Sequence, residues 1–98
     1  MIGYRFLSPA EEEMIEAALF YERRSAHLGV DFLDDIDRVV GLIREHPHIG
    51  AVIDESFRRV LLHRFPFNLV YTVEVDSILI IAVAHQRRRP GYWRERVV

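Results

Sequence analysis

The stretch Ile78-Leu79-Ile80-Ile81-Ala82-Val83-Ala84 is apolar at every position and contains neither glycine nor proline. Such a short apolar run, rich in β-branched side chains, predicts a strand whose two faces are both covered. We place this strand at residues 77–85, in the centre of a sheet. The rest of the chain should supply its neighbouring strands and the layer that covers it.

Two strand-like segments come before this central strand. The first begins at Phe57 or Arg58 and ends at His63, and the second covers residues 67–74, where the two faces alternate. Val75-Asp76 is short enough to be a hairpin connection. We therefore expect the second segment to pair antiparallel with the central strand.

The N-terminal half predicts a short strand and two helices. The strand is expected at Ile2–Leu7. Ser8-Pro9-Ala10-Glu11 has the residues of a capping box with Ser8 as N-cap, so a first helix should run from there to about Arg24. A cleaner apolar stripe predicts a second helix from about Val30 to Glu45, which the following His-Pro pair ends.

The resulting order is β-α-α-β-β-β, followed by a short helix or an extended tail from about Gly91. Residues 47–56 are interpreted as a loop. This order predicts an α+β fold in which a helical hairpin covers one face of a small, mainly antiparallel sheet. No second layer is left for the other face, which we expect to be open and to bear Arg59, His63 and, depending on the register, His85.

Composition narrows the possible classes of protein. The 98 residues argue for one domain, and the absence of cysteine excludes disulfides, a thiolate nucleophile and cysteine metal sites. The five histidines lack the spacing of a metal site, so we expect neither a metal nor a cofactor. No apolar run approaches the roughly 20 residues that span a bilayer, and no export signal is visible. We expect a cytoplasmic protein without a membrane partner.

The charges are distributed unevenly along the chain. Residues 1–55 carry five arginines against twelve acidic residues, whereas residues 56–98 carry eight arginines against three. Lysine is absent, so every basic side chain apart from histidine is an arginine, which pairs two-pronged with phosphate or carboxylate. This asymmetry predicts a basic surface that attracts nucleic acid or an acidic protein segment.

The basic residues concentrate near the start of the β-rich half and in the tail. Simpler roles exist for some of them: Arg87–Arg89 as a solvated exit from the central strand, His85 as a structural histidine, and Trp93 as packing for the tail. The candidate binding residues are Arg58, Arg59, Arg64, Arg87, Arg88, Arg89, Tyr92, Trp93 and Arg96.

Two segments resemble a known family. They are Arg58-Arg59-Val60-Leu61-Leu62-His63-Arg64-Phe65-Pro66-Phe67-Asn68-Leu69-Val70-Tyr71 and Val83-Ala84-His85-Gln86-Arg87-Arg88-Arg89-Pro90-Gly91-Tyr92-Trp93. Both resemble the RelE/ParE superfamily of bacterial type II toxins, and the tail is similar to the ParE branch. The resemblance implies a toxin that arrests growth or stabilises plasmids, and a cognate antitoxin that wraps across its helices and sheet. Promoter DNA would be bound only indirectly, through the antitoxin.

The two branches of the superfamily imply different targets. RelE-like members cut mRNA on the ribosome with basic residues and a C-terminal tyrosine, whereas ParE-like members inhibit DNA gyrase without an established hydrolytic centre. The absence of lysine departs from RelE-type chemistry, so we favour a gyrase inhibitor over a nuclease. A non-toxic interaction module is a third hypothesis. The candidates for phosphate contact, transition-state clamp and proton carrier in a nuclease are Arg59, Arg64, Arg87, Arg88, His85 and Tyr92.

Overall fold

The computed structural model describes residues 1–97, and these form two helices packed on a five-stranded sheet. Val98, the last residue of the basic tail, lies outside the described residues. The α+β class and the helical hairpin are confirmed. In chain order the elements are β1 (Gly3–Phe6), α1 (Ser8–Arg24), α2 (Leu28–Glu45), β2 (Ala51–Asp54), β3 (Phe57–Leu61), β4 (Phe67–Val73), β5 (Ser77–His85) and a 3₁₀ helix (Arg94–Val97).

The sheet has the strand order β1-β5-β4-β3-β2. β1 runs parallel to β5 and the other neighbours are antiparallel, so the sheet is mainly antiparallel, as predicted. β5 lies between two strands, and its residues from Ile78 to Ala84 are all buried. The continuous apolar run therefore predicted correctly that both faces of this strand are covered, although β4 and not β5 is the middle strand of the sheet. None of the helices in residues 1–97 is long and apolar enough to cross a membrane.

Two segments of the sheet differ from the prediction. The loop expected at residues 47–56 contains β2, an edge strand of four residues that pairs with β3. The sequence does not reveal it because the strand is short and half of its residues are exposed, Val52 by 57%. β3 ends at Leu61, so His63 lies in the connection to β4 and not on a sheet face. The buried carboxylate of Asp35 on α2 accepts the backbone N–H of Arg64 at 2.9 Å and holds this connection against the helices.

The first helix begins without the predicted capping box. Leu7 occupies the N-cap position with extended backbone angles, and no side chain caps the first turn. The backbone N–H of Leu7 donates to the carbonyl of Ile80 at 2.9 Å, so β1 continues directly into α1. Ser8 is consequently the first helical residue, while Pro9 occupies the first turn as predicted.

The two helices lie close together where α2 begins. The Glu22 carboxylate accepts the backbone N–H groups of His27 and Gly29, each at 3.0 Å, and these bonds lower its pKa. Gly29 is buried, and a Cβ atom at this position would lie 2.5 Å from the backbone carbonyl oxygen of Ala18. Glycine therefore permits the spacing of the helices at this point.

Apolar clusters lie on both faces of the sheet, so the prediction that one face is open is wrong. The helices cover one face through side chains that include Phe32, Ile36 and Val39. On the other face, here called the tail side, the C-terminal tail folds back over the sheet and Trp93 is only 3% exposed. Trp93 thus packs the tail onto the sheet, as one interpretation of the sequence proposed. Its buried neighbours there are Val70, Leu79, Ile81, Ala82 and Ala84.

Candidate functional site

A pocket of about 320 Å³ opens on the tail side, between β3, β4 and the turn that follows β5. Its walls are cationic, whereas Val70, Ala84 and Trp93 give it an apolar floor. We call it the tail-side pocket. The side chains predicted from sequence that it brings together are Arg59, His85, Arg88, Arg89, Tyr92 and Trp93.

The arginines of the tail-side pocket differ in their partners. Arg94 forms an ion pair with Asp54, so its charge is compensated. The guanidinium of Arg88 lies 3.9 Å from the centre of the Tyr92 ring in a cation–π contact. Within residues 1–97, Arg59, Arg88 and Arg89 have no acidic partner within ion-pair distance. The pocket therefore carries uncompensated positive charge.

Glu13 of α1 anchors the tail. Its carboxylate accepts two N–H groups of Arg96 at 2.8 and 2.9 Å, and it accepts the hydroxyl of Tyr92 at 2.6 Å. The paired Glu13 and Arg96 side chains are 16% and 17% exposed, so water competes little for these bonds. The three side chains, here called the Glu13 cluster, fix the path of residues 92–96 across the sheet.

The Glu13 cluster also completes the hydrogen bonding of β5. β1 pairs with β5 only as far as Ile80, which leaves the following backbone groups without a neighbouring strand. The Val83 N–H donates to Glu13 at 3.1 Å, and the Ile81 carbonyl accepts from Arg96 at 3.0 Å. Side chains from α1 and the tail thus replace the strand that is missing here.

The same contacts set the protonation of Glu13 and Tyr92. Burial raises the pKa of Glu13, but the hydrogen bonds from Arg96, Tyr92 and Val83 together lower it by more. The pKa of Glu13 therefore lies below its ordinary value. Burial and the Glu13 carboxylate raise the pKa of Tyr92 well above its ordinary value. Tyr92 is therefore a neutral donor bound to Glu13, and its use as a proton carrier would require breaking this bond.

Four of the predicted binding residues lie outside the tail-side pocket. Arg58 faces the helices and donates to backbone carbonyls of the α2–β2 loop at 3.0 and 2.8 Å. Arg64 lies in the β3–β4 connection, 3.6 Å from a carboxylate of α2. Arg96 belongs to the Glu13 cluster, and Arg87 is exposed without lining the pocket. The structure thus divides the basic residues among several places.

His85 lies where the tail-side pocket meets the helix side. Its ring packs edge-on against Phe67, with 5.1 Å between the ring centres, and its Nδ1 accepts the backbone N–H of Arg87 at 3.1 Å. An extra residue in β5 opposite Val70 and Tyr71 shifts the alternation of side chains, which sequence spacing alone does not reveal. His85 therefore borders both the pocket and a groove on α1.

This second concavity, here called the α1 groove, has a volume of about 480 Å³ and lies between α1 and the free edge of β5. Leu19 and Phe20 are 50% and 48% exposed beside it. Exposed apolar side chains grouped in a groove are typical of a contact surface for another protein. The residues that line it are Glu13, Glu16, Ala17, Leu19, Phe20, Arg23, Phe67, Val83, His85 and Arg88.

Sequence reasoning missed Glu13, Asn68 and the α1 groove. Glu13 stands in a run of three glutamates that suggests only a favourable helix dipole, and its partners lie 70 or more residues away. Asn68 alternates with apolar residues in β4 and gives no further signal. A signal existed for the groove, because α1 carries more large apolar residues than one buried stripe requires.

Comparisons with known proteins agree with this architecture. Residues 4–90 match the family model described as "ParE toxin of type II toxin-antitoxin system, parDE". A solved structure titled "Chromosomal ParDE TA system from P. aeruginosa" superposes with a TM-score of 0.75 at 18% sequence identity, over 87% of this chain and 96% of that chain. At this identity the likeness concerns the fold alone. A search of curated proteins gives no significant match. Because the family model covers both helices and all of the sheet except Gly3, the chain belongs to the ParE toxin family of type II toxin-antitoxin systems.

Proposed function

We propose that this protein is a toxin that a cognate antitoxin neutralises, and that its target is DNA gyrase. The observation that carries the proposal is the match of residues 4–90 to the ParE toxin family. The resemblance of the tail to the ParE branch supports gyrase as the target. The shared fold with a ParDE toxin-antitoxin structure supports an antitoxin as the partner.

The α1 groove is the surface that suits the antitoxin. It combines half-exposed apolar side chains with the cations Arg23 and Arg88, and of its two glutamates Glu13 is already paired with Arg96. A segment with apolar and acidic side chains, disordered before binding, would bury the first kind and pair with the second. The groove lies along α1 and β5, in agreement with an antitoxin that wraps across helices and sheet.

Leu19→Asp is expected to weaken antitoxin binding by about a hundredfold, because it replaces an apolar contact by a carboxylate that binding would remove from water. Leu19 is half exposed, so the variant should fold. The dissociation constant of the purified complex, measured by calorimetry, checks this. Val75→Asp is the matched control, since Val75 is fully exposed in the β4–β5 turn. Equal affinities for Leu19→Asp and the wild type would place the antitoxin elsewhere.

The geometry weighs against the ribonuclease alternative. The Tyr92 hydroxyl is bound to Glu13 and has a raised pKa, so it is poorly placed to exchange a proton with a substrate. Arg64, a candidate phosphate contact, is directed to α2 and away from the tail-side pocket. Of the two proton carriers predicted from the sequence, only His85 then remains. Inhibition of gyrase requires no proton carrier.

The target can be identified from the topology of a reporter plasmid in cells that express the protein. Gyrase maintains negative supercoiling, so its inhibition should leave the plasmid relaxed before growth stops. Co-expression of the antitoxin should restore both supercoiling and growth. Normal supercoiling together with codon-periodic mRNA cleavage would favour the RelE-like alternative. Normal growth and normal supercoiling at full expression would favour the third hypothesis, a non-toxic interaction module.

A further inference from the structure

The tail-side pocket presents cations and hydrogen-bond donors without a counter-charge. Arg59 of β3 meets Arg88 and Arg89 of the turn after β5, and none of the three has an acidic partner within residues 1–97. The nearby Arg94 is neutralised by Asp54, so it adds little to the charge of the pocket. Three guanidinium groups around one small concavity repel each other, and a bound anion would relieve this repulsion.

Asn68 gives an independent sign that the pocket is a binding site. Its Oδ1 is buried and has no hydrogen-bond partner among residues 1–97. Buried polar side-chain atoms nearly always have a partner, and an exception often marks a functional position. Asn68 also lines the tail-side pocket, and its amide nitrogen, turned toward the pocket, would add a donor for an anion.

One wall of the pocket is held in place in advance. The Arg88 guanidinium stacks 3.9 Å from the centre of the Tyr92 ring, and Tyr92 is fixed by its hydrogen bond to Glu13. A stacked guanidinium loses less conformational freedom when it binds an anion than one that moves freely in solvent. The Glu13 cluster therefore preorganises the pocket as well as the tail.

The size and floor of the pocket favour an anion that carries an organic group. A volume of about 320 Å³ exceeds that of a bare phosphate and falls at the small end of ligand sites. Val70, Ala84 and Trp93 supply an apolar surface on which a planar ring can lie. We propose that the tail-side pocket binds the phosphate of a nucleotide, with Arg59, Arg88 and Asn68 as its donors and the base against the apolar floor.

This proposal is independent of the gyrase target, because it concerns a site on the isolated protein. It is tested by NMR titration of the ¹⁵N-labelled protein with inorganic phosphate, with AMP and with a short single-stranded DNA. Saturable shifts are expected for the Arg59 and Arg88 Nε–H groups and for the Asn68 side-chain amide, with AMP binding more tightly than inorganic phosphate. Saturation by AMP identifies a free nucleotide as sufficient, whereas shifts with DNA alone identify a strand as the source of the phosphate.

Three variants separate a built site from general attraction to positive charge. Arg59→Ala should weaken AMP binding about tenfold, as expected for one lost charge-assisted hydrogen bond. Asn68→Asp should abolish binding, because it places a carboxylate in the pocket. Arg87→Ala is the matched control, since it removes the same charge from an exposed neighbour outside the pocket.

Several results would overturn the proposal. One is that Arg59→Ala and Arg87→Ala weaken AMP binding equally. Another is that none of the phosphate probes gives saturable shifts. A third is that a glutamate-rich peptide shifts these resonances and AMP does not. Thermal unfolding of each variant shows whether the fold is retained. If Asn68→Asp fails to fold, Arg59→Ala and its control still decide the outcome, because Arg59 is exposed and has no acidic partner in residues 1–97.

Discussion

Replacing Glu13 with alanine is expected to lower the free energy of unfolding by about 3 kcal/mol, because it removes one partner of a largely buried ion pair and leaves the other without its counter-charge. The change leaves the Arg96 guanidinium, the Tyr92 hydroxyl and the Val83 N–H without their common acceptor. For a chain of this size the corresponding fall in Tm is roughly 12 to 24 °C. Thermal unfolding followed by circular dichroism measures it.

The sole tryptophan provides a second readout for this variant. Trp93 is buried by the tail that Glu13 holds, so release of the tail should shift its fluorescence to longer wavelength. Glu12→Ala is the matched control, because it removes a neighbouring exposed glutamate from the same helix. A Tm within 2 °C of the wild type, on the order of 0.5 kcal/mol or less, together with unchanged Trp93 emission, would show that the Glu13 cluster does not hold the tail.

The contribution of Glu13 should also depend on pH. Its pKa in the folded protein is lower than the ordinary value of 4.5. The stabilisation is therefore fully present above the unfolded pKa and is lost as the pH falls through the folded pKa. The difference in unfolding free energy between wild type and Glu13→Ala should accordingly narrow below about pH 4. A difference that stays constant to lower pH would indicate that charge plays no part.

Gly29→Ala is expected to destabilise the fold by about 2 to 3 kcal/mol, as overpacking of a close contact does. The new Cβ would lie 2.5 Å from the Ala18 carbonyl oxygen and 3.0 Å from the Glu22 Cβ, so the helices would have to separate. In an open helical position the same substitution stabilises by up to about 1 kcal/mol. The clash is with backbone, which cannot rotate away, so the unfavourable effect dominates.

Gly41 offers an internal control within the same helix. A Cβ at Gly41 meets nothing within 4 Å, so Gly41→Ala should raise the unfolding free energy by up to about 1 kcal/mol. Chemical denaturation of both variants tests whether the two substitutions change the unfolding free energy in opposite directions. Stabilisation by Gly29→Ala would mean that the helices cross less closely than described.

Several elements of the fold follow from local sequence patterns. The uninterrupted apolar run of β5 predicted a strand buried on both faces, because it is too short for a buried helix, is rich in β-branched residues and lacks the alternation of an open sheet. The two helices and their antiparallel hairpin followed from apolar periodicity and from the His46-Pro47 stop. β2 could not be predicted, since four residues at an exposed edge carry too little periodicity to differ from a loop.

The candidate site was predictable only in part. The clustering of arginines identified the tail and β3, and the structure brings Arg59, Arg88 and Arg89 into one pocket. Glu13 gave no signal because its role depends on contacts with residues 70 to 83 positions away. Arg58 and Arg96 resemble ligand-binding residues in sequence, yet their guanidinium groups satisfy backbone carbonyls and a buried carboxylate. Such partners become visible only once the chain is folded.

The claim that the protein acts on DNA gyrase is tested most directly with purified components. Gyrase and ATP convert a relaxed plasmid into its supercoiled form, which a gel resolves from the relaxed one. Increasing amounts of the protein should reduce this conversion in proportion to dose, and prior mixing with the antitoxin should restore it. Full supercoiling in the presence of a large excess of the folded protein would show that gyrase is not the target.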